Sequence, residues 1–548
     1  MSALGFLSSR EDFSSAAPTA TPQRASTAVP PWAAESAGFV LALTLALLAV
    51  WHVDATDRSW LLYYDGDSVL PALVRQSVLA GQPQDWSLSA VLFIPEMGLY
   101  FALAGLGLGV KGTFALSAVV NLLLLYGVLR VLAGAVHRGR PRSLRVAGAL
   151  VAFGAMASLT LLEDSPRQET FELASLVVTT TYYSMTLLGA VAATGIVARL
   201  VTAQRGGRRR WLEPVLMVTS ALSALTNPLF LAWATMPLIL VLALVARRRV
   251  VGWRGAVRVG VLLVLGSGLG VAARIAFTPL FSKYGPTYSS PGLSWWSAVY
   301  YLGAWADRAS TVAGAVSLTV AVALMLVSVI VFRRSLVARD AAAAIVSGMG
   351  WVAPVGLLVG GICLGTFAIR YLQPMVFAPV CMLVLAPRLA GQGRTFRGRL
   401  DGGKARAIVS GLMVVALGVS ALATGALSRS AAVVDPDIVC VDAWIAASHR
   451  TGAGGFWTIR GPKAYLGEPD QLVQVDQTFG AYPWLSDRTD YANAKVSFVL
   501  TDNAHPAPVL PPVARTAPQS TVQCGRYTIT DFGTALLPIG PASPNPLA

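Results

Sequence analysis

Apolar runs of bilayer-crossing length recur along most of this chain, and the loops between them alternate in charge sign. A helix needs roughly 20 apolar residues to cross a hydrocarbon core. On that measure the pattern predicts spans at 37–53, 112–135, 146–162, 176–200, 212–226, 228–246, 257–277, 310–332, 342–362, 371–387 and 407–427. The spans at 212–226 and 228–246 read as a broken pair meeting at Thr226-Asn227-Pro228, a helix-breaking turn, because proline interrupts a helix. The run 91–109 is also apolar but holds Pro95, Glu96 and several glycines. It reads as a re-entrant or interfacial helix, since a full span there would place the next arginine cluster on the wrong side.

That charge pattern sets the expected topology. Basic clusters stand at Arg138/Arg140/Arg142/Arg145, Arg205/Arg208/Arg209/Arg210, Arg247/Arg248/Arg249/Arg254/Arg258, Arg333/Arg334/Arg339 and 388–406. The intervening loops hold Asp54, Asp57, Asp65, Asp67, Asp85, Glu163, Asp164, Glu169 and Glu172. Positive residues beside spans stay cytoplasmic. The N-terminus is therefore expected inside, the large loops 54–111 and 278–308 outside, and the C-terminus outside. Residues 1–36, rich in Ala, Ser, Thr and Pro, read as a disordered cytoplasmic tail. The first apolar run then acts as a signal anchor rather than a cleaved signal peptide.

From 430 to 535 the pattern changes: apolar runs shorten and Gly, Pro and Asp increase. Strand-like segments are expected at 456–459, 472–475, 496–500 and 527–530, with a helix over 441–448. The fold class expected is an all-α polytopic membrane protein of about 11 transmembrane helices, with a small C-terminal extracytoplasmic α/β domain. A Pro-rich tail occupies 536–548.

Composition agrees, with 55% hydrophobic and 13% charged residues, which excludes an ordinary soluble domain. A net charge of +15 would suggest nucleic acid in a soluble chain. Here the arginines flank spans, where anionic headgroups and topology account for them, so no nucleic-acid partner is expected. Four cysteines are too few for a disulfide scaffold and show no CxxC metal spacing. Cys440 and Cys524 bracket the polar C-terminal region, and an extracytoplasmic location permits a disulfide between them.

Two segments carry candidate chemistry. Tyr63-Tyr64-Asp65-Gly66-Asp67-Ser68 follows the first span, and its two carboxylates offer a general base or a cation site. The plainer reading is an acidic solvated loop or a helix cap. Asp54, Asp57 and Glu96 are reserve candidates, and Glu163 and Asp164 could join them across a cavity. In Arg370-Tyr371-Leu372-Gln373-Pro374 the arginine stands at the outer end of a span, opposite every arginine cluster. An arginine at bilayer depth costs about 2.5–3.5 kcal/mol and needs a partner. A phosphate suits the guanidinium through paired hydrogen bonds, and a salt bridge to an outer carboxylate is the alternative. The loop 278–308 carries Lys283, Trp295, Trp296 and several tyrosines, either an interfacial aromatic belt or a platform for a sugar or lipid headgroup.

This layout resembles the GT-C superfamily of integral-membrane glycosyltransferases, which share an acidic first outer loop, interfacial helices within it, many spans and a C-terminal extracytoplasmic domain. Arg370-Tyr371-x-x-Pro374 is similar to an arginine-tyrosine-proline segment near the last spans of several such families. Tyr482-x-Trp484, 496–500 and Cys524-Gly525-Arg526-Tyr527 are similar to the tails of poorly characterised bacterial members. The resemblance covers 37–535 in outline. It implies a polyprenyl-phosphate sugar as donor, a glycan, lipid or protein of the envelope as acceptor, inversion at the anomeric carbon, and a bacterial plasma membrane location. Carried over by position, Asp65 or Asp67 is the base, and Arg370, with Tyr371, neutralises the departing lipid phosphate. No cofactor is called for, and a divalent cation at the two aspartates is left open. Two other classes also fit the residues: a transporter or flippase of lipid-linked or anionic solutes, and a non-catalytic envelope assembly protein.

Overall fold

The computed structural model describes residues 31–202, 207–285, 287–391, 402–492 and 494–542. The leader to residue 30, Arg205, residues 392–401 of the last basic cluster and residues 543–548 of the tail lie outside the described residues.

The chain is a multi-pass membrane protein. Among the described residues, nine helices are long and apolar enough to cross a membrane: Trp32–Ala55, Gly109–Val136, Arg142–Thr160, Ser184–Thr202, Trp253–Leu280, Val312–Val337, Ala341–Cys363, Ile369–Leu389 and Ser410–Ser448. Two shorter apolar helices, Trp211–Thr226 and Leu231–Arg247, occupy the expected broken pair. Asn227 sits at the break, and a π-helical turn over Leu231–Thr235 follows it. In the 91–109 run the helix covers only Ile94–Ala104, 11 residues. It rises about 16 Å, half of a hydrocarbon core, and so is too short to cross one.

One expected span needs correction. The helix placed at 176–200 begins only at Ser184, after a 3₁₀ turn over Ser175–Val178 and an irregular stretch at 179–183. Hydroxyls in this stretch bond to backbone carbonyls instead of leaving them to a helix. Thr179 Oγ1 donates to Leu176 O at 2.7 Å and Thr180 Oγ1 to Ser68 O at 2.9 Å. Irregular backbone inside a membrane protein is tolerated where it lines a cavity, and Thr181 and Tyr183 line one here.

The C-terminal α/β unit is built on a five-stranded sheet of order β3-β2-β5-β7-β6. Its strands are β2 (Thr451–Gly455), β3 (Leu472–Val475), β5 (Val496–Asp502), β6 (Ser520–Cys524) and β7 (Tyr527–Asp531). β2 runs parallel to β3 on one side and to β5 on the other, while β5, β7 and β6 are antiparallel. Cys440 and Cys524 are joined by a disulfide, tying the Pro436–Ser448 helix to β6. The expected strand at 456–459 is a second correction: that segment opens the helix Phe456–Tyr465, and the strand is the glycine-rich Thr451–Gly455 before it. Strand propensity overlooks glycine. The site demands it, because a Cβ on Gly452 would lie 2.1 Å from the Phe498 ring and one on Gly454 2.6 Å from Leu500 O.

Three seams seat this unit on the first large loop. β1 (Trp86–Ser87) pairs antiparallel with β4 (Ser486–Asp487), and Arg488 Nη1 donates to Asp85 Oδ1 at 2.6 Å. Arg526 is held by Asp435 at 2.8 Å and Asp437 at 3.1 Å, and its guanidinium lies 5.0 Å from the Trp60 ring centroid. Tyr465 Oη donates to Tyr63 O at 3.0 Å.

The close approach at β2 is testable. Gly454→Ala should destabilise the protein by about 1–3 kcal/mol, the usual range for overpacking. Gly455→Ala, whose Cβ would meet nothing within 4 Å, should not. Thermal unfolding of the two variants in detergent compares them directly.

Candidate functional site

The acidic loop follows the short helix Ser59–Tyr63. Within it the two aspartates have different jobs. Asp65 is 4% exposed, and its Oδ1 accepts from the amides of Asp67 at 3.0 Å and Ser68 at 3.3 Å. The Tyr182 hydroxyl adds a third bond to the same oxygen at 2.7 Å and also meets the Gln168 amide. Asp65 therefore shapes the turn. The Asp67 carboxylate makes no hydrogen bond among the described residues and faces a cavity of about 550 Å³.

Arg370 stands on a 3₁₀ turn over Ile369–Leu372 and lines the same cavity. Its Nη1 donates to Glu169 Oε1 at 2.6 Å, while Glu169 Oε2 accepts from Ile369 N at 2.8 Å and Tyr300 Oη at 3.0 Å. The guanidinium lies 5.9 Å from the ring centroids of both Tyr182 and Tyr371. Its Nε is buried without a partner. Gln373 Nε2, one turn on, donates to Tyr182 O at 2.9 Å, tying this turn to the segment behind Asp65. Arg370 and Asp67 are not hydrogen-bonded to each other, and both line the cavity.

The walls of the cavity differ in character. Phe93, Leu229, Leu231 and Leu364 come from the membrane helices and the loops joining them. Opposite them, the C-terminal unit contributes Gly455, Phe456 and Trp457 at the end of β2, Asp476 and Gln477 at the end of β3, and Tyr482 and Trp484. In an open α/β sheet, ligands sit outside the carboxyl ends of the strands where the order reverses. β2, flanked by β3 and β5, is such a point. Aromatic faces on this wall match the apolar faces of a sugar ring.

Electrostatics separate the two aspartates further. Burial, and then the charge of Asp67, push the Asp65 carboxyl up to about 7 against the bonds from Tyr182 and the loop amides. Burial also raises Asp67, while Arg370 and Arg460 pull it back down. The pair titrates as a coupled unit rather than as two independent acids. Among the described residues no three His, Cys, Asp or Glu side chains group as a metal site. Asp65 and Asp67 form a pair with two guanidiniums, Arg370 and Arg460, acting on it.

The remaining sequence candidates lie elsewhere. Glu163 accepts from Ala174 N at 2.9 Å and Ser175 N at 2.7 Å, so it organises a loop. Asp164 and Lys283 are exposed, and Trp295 and Trp296 are 71% and 61% exposed, away from the cavity. Tyr288 and Ser289 are what the 278–308 loop sends into it. Glu96 is 2% exposed on the short Ile94–Ala104 helix and is not part of the lining. Asn227 lines the cavity, but its amide is engaged by Thr186 Oγ1 and Leu229 N, both at 3.0 Å. Tyr371 also lines it, packed 6.0 Å from Tyr183. Sequence reasoning missed Tyr182, Glu169 and Arg460. The polar run Thr179-Thr180-Thr181-Tyr182-Tyr183 at a supposed span start was the available signal.

No family model matches this chain, and no curated protein does. The solved structures that match include the apo crystal structure of the oligosaccharyltransferase of Archaeoglobus fulgidus, with a TM-score of 0.40 at 13% identity, covering 86% of this chain and 69% of that one. A likeness that distant carries no argument about activity.

The loop that delivers Gln168 and Glu169 is clamped by buried charge. Glu172 Oε1 accepts from Arg308 Nη1 at 2.5 Å, and its Oε2 lies 3.5 Å from Arg58 Nη1. Removing one partner of such a group strands the others and costs about 3–5 kcal/mol. Glu172→Gln should therefore lower the thermal midpoint sharply, whereas Asp164→Asn, exposed nearby, should leave it unchanged.

Proposed function

We propose that this protein is a GT-C-type membrane glycosyltransferase. It moves a sugar from a polyprenyl-phosphate donor to a hydroxyl of an envelope acceptor, with inversion. The observation that carries this reading is the placement of an unbonded carboxylate, Asp67, and an arginine, Arg370, on one cavity between an apolar and an aromatic wall. Such a cavity suits a ligand whose lipid lies among membrane helices and whose sugar reaches water. In the topology that fits the arginine clusters, the nine long helices and the two shorter ones cross the bacterial plasma membrane. The N-terminus is then cytoplasmic, and the 430–535 α/β domain and the cavity lie on the extracytoplasmic face.

In the reaction, Asp67 takes the proton of the acceptor hydroxyl as its oxygen bonds to the anomeric carbon. The bond from that carbon to the phosphate oxygen breaks on the opposite face, and its electron pair leaves with the lipid phosphate. Arg370 offsets the charge that develops there, the stage at which a fixed cation accelerates most. Tyr371 and the C-terminal aromatics hold the sugar, and Asp65 holds the loop.

The test is sugar transfer by purified protein from a panel of polyprenyl-phosphate sugars. Removing a general base costs about 10²–10⁴-fold, so Asp67→Asn should lose that much, and full transfer by that variant overturns the assignment. Because the base must be ionised and burial raises its pKa, transfer should be complete at alkaline pH and fall with decreasing pH. The acid limb should lie above the usual carboxylate range, because burial raises Asp67 against the pull of Arg370 and Arg460. Asp65→Asn removes the neighbouring negative charge, so it should retain transfer and move that limb to lower pH.

A further inference from the structure

The C-terminal unit does more than cover the cavity. Its Phe456–Tyr465 helix leaves β2 at the cavity wall and then lies directly on the acidic loop. A Cβ on Gly66 would stand 2.7 Å from Phe456 Cε1 and 3.1 Å from Trp457 Cε3, and one on Gly461 2.9 Å from Tyr64 O. At Gly461 the helix backbone therefore meets the loop backbone directly, and at Gly66 the Phe456 and Trp457 rings lie against the loop. At the centre of that contact, Arg460 is 2% exposed. Its Nε donates to Gly66 O at 2.6 Å, and its Nη1 to Leu485 O and, at 3.5 Å, to Gln474 Oε1. Its Nη2 is buried with no partner.

All of these acceptors are neutral. A guanidinium removed from water needs opposing charge as well as hydrogen bonds. The opposing charges are Asp67 first and then Asp65, with Asp490, already bonded to Lys463, contributing least. The groups around Asp67 come from every surrounding element. They are Asp65 on its own loop, Tyr182 and Tyr183 on the irregular segment, Tyr288, Arg370 with Glu169 behind it, and Arg460 and Tyr482 of the C-terminal unit. Two of these are cations. Arg370 is already ion-paired with Glu169, whereas Arg460 makes no hydrogen bond to a carboxylate. We infer that Arg460 is a positioning residue for the reaction: it anchors the acidic loop through Gly66 and supplies the positive charge that offsets the Asp65–Asp67 pair. The C-terminal unit is thus part of the catalytic machinery, and this inference rests on the transfer reaction proposed above.

The experiment compares wild type, Arg460→Gln, Arg460→Lys and the double variant Arg460→Gln/Asp65→Asn. Two readouts are used: the pH profile of sugar transfer, and pH-difference infrared spectra of the carboxyl stretch, with Asp67→Asn identifying the Asp67 band. Loss of an opposite charge at close range moves a carboxylate by about one to three pH units. The acid limb and the Asp67 band midpoint should therefore rise by about one unit or more in Arg460→Gln. Activity should recover at higher pH, and Arg460→Lys should stay near wild type. If Arg460→Gln does not give monodisperse protein, the double variant, which removes one charge of each sign, should restore both the protein and the midpoint. A uniform loss of transfer at all pH values with an unmoved midpoint overturns the inference, as does failure of the double variant to rescue. Absence of transfer in wild type with a midpoint that still moves defeats the proposed reaction and leaves only the electrostatic coupling of Arg460 to Asp67 standing.

Discussion

Two carboxylates separated by a single glycine and out of water are unstable neighbours, and most of the site exists to accommodate them. Desolvation and mutual repulsion both favour protonation. The chain answers with one guanidinium from a membrane-helix turn, one from the C-terminal unit, and a tyrosine from the irregular 179–183 stretch. These elements are remote in sequence: Arg460 meets Gly66 across 394 residues and Tyr182 meets Asp65 across 117. Bringing them together fixes where the C-terminal unit sits and where the Ser184–Thr202 helix starts.

The same constraint divides the labour between the aspartates. Three donors on one oxygen make Asp65 part of the turn, while Asp67 is left without protein hydrogen bonds at the cavity. A similar division separates the arginines. Arg370 is steadied by Glu169, which Tyr300 and Ile369 N steady in turn, and its Nε stays unpartnered. An unbonded carboxylate and a guanidinium held from behind therefore line one cavity.

Much of the fold was legible because crossing a bilayer demands length and apolarity, which composition displays directly. The short helix at Ile94–Ala104 and the break at Asn227 followed from proline and glycine. Asp67 and Arg370 were visible because charge beside an apolar run needs a reason. What stayed hidden was tertiary in origin. Thr451–Gly455 does not read as a strand, since its glycines are set by the Phe498 ring and Leu500 O rather than by propensity. Placing the strand five residues late turned Arg460 into an ordinary residue beyond a sheet. Glu163 resembled a site acid, yet it binds two backbone amides, a role invisible without the loop it folds. Trp295 and Trp296 face outward, as an interfacial aromatic belt would.

The seams explain why the C-terminal unit can carry a charge into the membrane domain at all. A buried guanidinium must arrive with its position already fixed, because side-chain entropy and desolvation would otherwise oppose its entry. Arg460 is placed by a helix rooted in the parallel centre of the sheet, and that sheet is held by the Cys440–Cys524 link. The unit is then registered on the first loop at β1 and β4, at Arg488 with Asp85, and at Arg526 against Trp60. Each contact lies on the segment that also carries Asp65 and Asp67, between Trp60 and Ser87. Lifting the unit away would therefore expose Arg460 and leave the acidic pair without one of its two cations in a single movement. Docking of the unit and the charge state of Asp67 are thus coupled through Arg460.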